Sequence, residues 1–144
     1  MRDWDNTYGA YAKVFIQYNG SLQELGSNIE RGLDTTALRF DTTEDEPHDL
    51  VGYVESFGFE IELKKVQKQT HLSDYQYILS AFTMDSFQEI YDDRMFDISL
   101  WMARYISLVC KLTTMVEHSN KRTRQSFYID PVTGKRETSF LDDE

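Results

Sequence analysis

The stretch Phe57-Gly58-Phe59-Glu60-Ile61-Glu62-Leu63 decides the fold class. Phe57, Phe59, Ile61 and Leu63 alternate with Gly58, Glu60, Glu62 and Lys64. Successive strand residues point to opposite faces, so this pattern predicts a strand with one buried and one wet face. Such half-solvated strands belong to antiparallel sheets. Residues 75–82 follow, apolar on both faces, and predict a central strand. Upstream, residues 11–18 alternate Ala12, Val14, Ile16 and Tyr18 against Tyr11, Lys13, Phe15 and Gln17, a further strand. Residues 36–41 and 113–117 are short strand candidates, and residues 50–55 fit either a strand or one helical turn.

Two helices are predicted. Asn19-Gly20 turns the chain, and Ser21 with Glu24 forms a capping box ahead of the stripe Leu22, Leu25, Ile29 and Leu33. Gly26 inside that helix costs about 1 kcal/mol against Ala, which predicts a close packing contact. Gly32 is placed to end it. A long helix starting at Thr83 or Asp85 carries Phe87, Ile90, Tyr91, Met95, Ile98, Trp101, Met102, Tyr105, Val109 and Leu112 at spacings of three and four. A break near Asp92-Asp93 would let Asp97 cap a second helix. Asp130-Pro131-Val132-Thr133-Gly134 is a turn signal between residues 127–129 and 138–140. The whole predicts an α+β two-layer sandwich: a mostly antiparallel sheet with two helices on one face and a C-terminal β-hairpin. Residues 1–118 make one domain, and residues 119–144 a hairpin or tail loosely attached to it.

Charge is uneven along the chain. Up to Cys110 there are 19 Asp and Glu against 9 Lys and Arg, whereas residues 111–144 hold 6 of each, so the first part carries the whole net charge of −10. A field of that size repels nucleic acid and anionic membranes and attracts basic partners. The basic run Lys121-Arg122-Thr123-Arg124 precedes Phe127 and Tyr128, but its neutral surroundings make a nucleic-acid site the poorer reading. No stretch of about 18 apolar residues exists to span a membrane. The polar, acidic start at Met1–Asp5 is unlike a signal peptide, and the single cysteine, Cys110, forms no internal disulfide; a cytoplasmic protein is expected.

Chemical motifs are sparse. His48, His71 and His118 are scattered, with no Cys-x-x-Cys or His-x-x-x-His pair to suggest zinc. The loop from Asp41 to Glu46 lacks the ligand alternation and glycine of a calcium-binding EF-hand. Thr133-Gly134-Lys135 lacks the upstream glycine of a phosphate-binding loop and reads as a turn. No Gly-x-Ser-x-Gly elbow occurs, and Cys110 in an apolar helix reads as a buried, inert thiol. Glu89, Asp93 and Asp97 share one helix face with Asp92 beside them, as a solvated face or an acidic recognition ridge. Glu60, Glu62 and Glu55 extend a negative surface that Tyr53, Tyr75 and Tyr77 are expected to border.

These features, namely the size, Glu44-Asp45-Glu46, Asp92-Asp93, the acid excess and the lack of a catalytic constellation, make the chain similar to small acidic immunity proteins of bacterial toxin systems. The resemblance covers roughly residues 11–112 and aligns no motif. It implies tight binding to a basic, often nuclease-like, toxin domain. The expected function is therefore an acidic inhibitor of a basic protein partner, binding through Glu44, Asp45, Glu46, Asp49, Asp92 and Asp93, as a monomer or weak homodimer. No catalytic residue, metal or cofactor is expected. The alternatives are a small hydrolase-like enzyme using cleft carboxylates with a His or Tyr, or an assembly subunit that pairs through an edge strand or the C-terminal hairpin.

Overall fold

The computed structural model describes residues 9–44, 49–56, 58–66, 74–83, 95–118, 123–130 and 132–142. In chain order they form β1 (Gly9–Gln17), α1 (Leu22–Leu33), β2 (Arg39–Thr42), β3 (Leu50–Ser56), β4 (Phe59–Lys65), β5 (Tyr77–Thr83), β6 (Met95–Asp97), α2 (Ser99–Cys110), β7 (Thr113–Glu117), β8 (Thr123–Ile129) and β9 (Arg136–Asp142). The strands make one sheet in the order β2-β3-β4-β5-β1-β7-β8-β9, with β6 paired to β1 off that path. Every pairing is antiparallel except the parallel β1–β6 contact. Both helices pack on one face, which is the α+β sandwich expected from the alternation in β4.

The core lies between that face and the helices. Ala12, Val14 and Ile16 of β1, Ile61 and Leu63 of β4, and Leu79 and Ala81 of β5 meet Leu25 and Ile29 of α1 and Met102, Ala103 and Ile106 of α2. Helix α1 starts where Ser21 Oγ accepts the Glu24 N–H at 3.1 Å. Its last residue is Leu33, one beyond the expected stop at Gly32, and the C-cap Asp34 lies in the left-handed region with φ 54°. Gly32 serves packing instead: a Cβ there would meet the Cys110 side chain and lie 3.1 Å from its Cα, so α1 and α2 touch backbone to backbone. Gly26 makes the close contact expected of it, because a Cβ would come within 2.9 Å of the Phe40 ring. Gly52 of β3 leaves room for the same ring from the other side, at 3.0 Å.

Several expectations change in detail. Residues 50–55 are strand. The alternating stretch starts its strand at Phe59, because Gly58 turns the chain at φ 78°; Phe57 lies outside the described residues. The long helix is not continuous. Thr83 closes β5, Met95–Asp97 is a short strand, and α2 begins at Ser99. The cause is the open edge of β1: residues 9–11 pair with residues 95–97, and Ile98 donates its N–H to Tyr11 O. Helical spacing alone could not reveal this competing ladder. The N-cap of the second helix is Ile98, with no side-chain cap, rather than Asp97; Asp97 Oδ1 accepts the Ser99 N–H at 2.9 Å from the end of β6. Ser99 Oγ in turn accepts the Lys13 N–H, filling the gap in the ladder between β6 and β7. Nor is the C-terminal hairpin loosely attached. β8 pairs with β7 over residues 114–117, and Phe127 is buried in the main core.

Candidate functional site

The face opposite the helices carries the acidic groups in order. Gly58 admits the positive φ that the β3–β4 turn needs, which sets Ser56 against Phe59 and Glu55 against Glu60. The same register sets Tyr53 against Glu62 and Val51 against Lys64. On the other side of β3, β2 sets Arg39 against Tyr53 and Asp41 against Val51. Residues paired across strands share a face with Cβ atoms about 4.5–5.5 Å apart. Asp41, Glu62, Glu55 and Glu60 therefore surround Tyr53, with Arg39 and Lys64 on the same face.

The β2–β3 loop extends this face. Thr43 donates its N–H to Asp49 O at 2.9 Å, and Asp49 donates its N–H to Thr43 Oγ1 at 3.0 Å. The closed loop base holds Glu44 exposed and Asp49 half-buried at one end of β3. From Asp49 to Glu55 the strand spans roughly 20 Å. The carboxylates thus form a stripe along β3: Asp49 at one end, Asp41 and Glu62 in the middle, Glu55 and Glu60 at the other, with Glu44 exposed at the base of the β2–β3 loop.

Electrostatics follow from this spacing. The Tyr53 hydroxyl is pushed above its ordinary pKa, first by burial and then by Glu62, Asp41 and Glu60. Glu62 lies 3.8 Å from Lys64 Nζ, a solvent-exposed pair of small worth. Other carboxylates have local structural duties: Glu30 accepts the Leu38 N–H, Asp97 accepts the Ser99 N–H, and Asp130 accepts the N–H groups of Val132 and Thr133 in the hairpin turn. Glu44, Glu55 and Glu60 make no such contact among the described residues.

Of the residues expected to bind a partner, Asp49 lies at the end of the stripe, and Glu44 is exposed in the loop beside it. Asp45, Glu46, Asp92 and Asp93 lie outside the described residues. Of the expected tyrosines, Tyr53 alone stands among the acids. Tyr77 faces the helices and donates its hydroxyl to Gly20 O at 2.6 Å, while Tyr75 is hydrogen-bonded to Ser126 across the sheet. That part of the open face is closed by a small second core of Phe15, Ile78 and Met115 under Val66 and Tyr75. In the sequence Asp41 stands only as the start of an acidic loop. Its alternation with Arg39 was visible, but its pairing with β3 was not.

Among the described residues, two clefts are found on the helix side. One, about 310 Å³, is lined by Arg104, Ser107, Phe127, Tyr128, Glu137 and Thr138, with the Arg104 guanidinium 5.3 Å above the Phe127 ring. The other, about 290 Å³, is apolar and runs between Phe59, Ile61, Leu33, Met102 and the stacked rings of Trp101 and Tyr105. Neither contains a cysteine or histidine. Cys110 is buried, and burial pushes its thiol up to about 12. His118 Nε2 lies 3.0 Å from Gln125 Oε1. Among the described residues no three His, Cys, Asp or Glu side chains stand close enough to hold a metal ion, and no helix is long and apolar enough to cross a membrane. Comparison with protein-family models, with characterised proteins and with solved structures finds no match.

Proposed function

We propose that this protein binds a basic protein partner through the acidic stripe along β3, and that its specific role is that of an immunity protein neutralising a nuclease-like toxin in the cytoplasm. The observation that carries the reading is Glu55 held directly against Glu60. Like charges at that position cost a few tenths to about 1 kcal/mol. Among the described residues neither carboxylate forms a salt bridge or a cap that would offset the cost. A surface that bears such a cost is one shaped for an external cation. Tyr53 at the centre adds area at low entropic cost, as tyrosine does at interfaces. Carboxylates in a row would take the place of substrate phosphates in the partner's site, and the charge of the body would speed the encounter.

The test is capture from the source cell followed by stopped-flow association with the captured protein. The reading expects a basic partner whose association rate falls steeply from low to physiological salt. It also expects Glu60→Gln with Glu62→Gln to slow association several-fold while leaving the fold intact. An acidic partner, or a rate indifferent to salt, rejects it.

A further inference from the structure

The two edges of the sheet differ. β2 is four residues long, whereas β9 runs for seven, Arg136–Asp142. One side of β9 pairs with β8 in an unbroken register from Arg136 against Ile129 to Asp142 against Thr123. Among the described residues no strand pairs with its other side. Such an edge presents a row of N–H and C=O groups that another strand can complete, and natural sheets usually blunt it with Pro, Lys or a bulge. β9 lacks Pro, Lys and a bulge, and its charged residues stand toward its ends, at positions 136, 137 and 142, leaving residues 138–141 uncharged. Thr138 and Ser139 are exposed, and the Phe140 ring is 64% exposed beside the open edge, stacked on His118 at 6.4 Å.

We propose that β9 pairs antiparallel with β9 of a second copy of this chain, about a two-fold axis at Ser139, joining two sheets into one. The sequence selects the occupant. Arg-Glu-Thr-Ser-Phe-Leu-Asp set against its own reverse brings position 136 opposite 142, 137 opposite 141 and 138 opposite 140. The two Phe140 residues fall on a diagonal of about 7–8 Å, which aromatic side chains can span. Charge supports the same occupant. Residues 111–144 are electrically neutral, and the −10 lies in the rest of the chain. The acidic stripe belongs to the opposite edge, so two copies meet through their neutral ends with the acids pointing apart. The inference stands independently of the basic-partner proposal.

Sedimentation equilibrium of the full chain, from micromolar to sub-millimolar concentration, should show a reversible monomer–dimer equilibrium. Phe140→Lys, at a solvent-exposed ring, sets two lysines across that diagonal and should weaken the dimer about tenfold with an unchanged melting temperature. Phe140→Tyr keeps the aromatic pair and should hold affinity to within about threefold. A wild-type chain that stays monomeric throughout, a dimer indifferent to Phe140→Lys, or a Phe140→Tyr variant as weak as Phe140→Lys overturns the proposal.

Discussion

Glu60→Lys is expected to make the protein more stable and a worse binder. Glu60 faces Glu55 across the β3–β4 pair and Phe82 across the β4–β5 pair. The present Glu55–Glu60 contact is repulsive by about 0.2–1 kcal/mol, and an opposite-charge pair there is attractive by a similar amount. The lysine stem can lie along Phe82, so no packing is lost. The exchange should therefore raise stability by about 1 kcal/mol, which for a chain of this length moves Tm by roughly 3 °C. Glu60→Gln, which removes only the repulsion, should give about half of that. Both gains should shrink with added salt, since the groups are reachable by counterions. Thermal unfolding at low and high salt measures the stability arm; stopped-flow association with the basic partner measures the other, where Glu60→Lys should slow binding more than Glu60→Gln. A Glu60→Lys protein that is less stable, or a gain unaffected by salt, refutes the idea that repulsion is stored at this pair. A stabilised variant that binds at the wild-type rate leaves the stored repulsion intact but removes the stripe from the interface.

Other positions give independent checks. Gly32→Ala should cost about 1–3 kcal/mol in denaturant unfolding despite the better helix former, because the new methyl meets the Cys110 side chain and main chain; Cys110→Ala in the same chain should recover part of it. Phe127→Ala should cost about 3–5 kcal/mol, the value for a core aromatic, whereas a hairpin outside the core would lose only a few tenths. Cys110 gives a pH dependence of known sign. Burial raises its folded pKa from 9.0 to about 12, so the folded state resists ionisation that the unfolded state accepts. Its stability contribution is full below pH 9 and is lost as pH rises toward 12. Wild type should thus lose stability faster than Cys110→Ala across that window, and the native thiol should react with disulfide reagents only on unfolding.

The sheet was legible because burial imposes a period. Ile61 and Leu63 alternate with Glu60 and Glu62 since one face meets helices and the other meets water, and α1 could be placed from Ser21 through Leu33 for the matching helical reason. What stayed hidden was pairing. Met95–Asp97 fits a helical stripe equally well, and only the free edge of β1 makes it a strand. The same limit governed the acidic face. Glu55, Glu60 and Glu62 were identifiable as wet positions, but their neighbours are set by the turn at Gly58 and by β2 joining β3, which are contacts between segments. Loop acids such as Glu44 stand out in a sequence because they are consecutive, whereas strand acids become a cluster only after the register is known.

The order of strands gives the charge asymmetry its consequence. β2 and β9 close opposite ends of an eight-strand path, so seven spacings, roughly 34 Å, separate them. That is about four Debye lengths at physiological salt. A cation arriving at Tyr53 is therefore electrically invisible at Ser139, and no described element links the two edges except the rigid sheet between them. Binding free energies at two such sites add, and by reciprocity neither ligand alters the affinity of the other. The proposed self-pairing through β9 would leave both acidic stripes at the outer ends of the joined sheet, where each would engage the proposed basic surface with the affinity of the single chain. A partner with one basic patch gains nothing from the joined form. A partner that is itself paired gains an effective concentration, provided its two patches match the distance between the stripes.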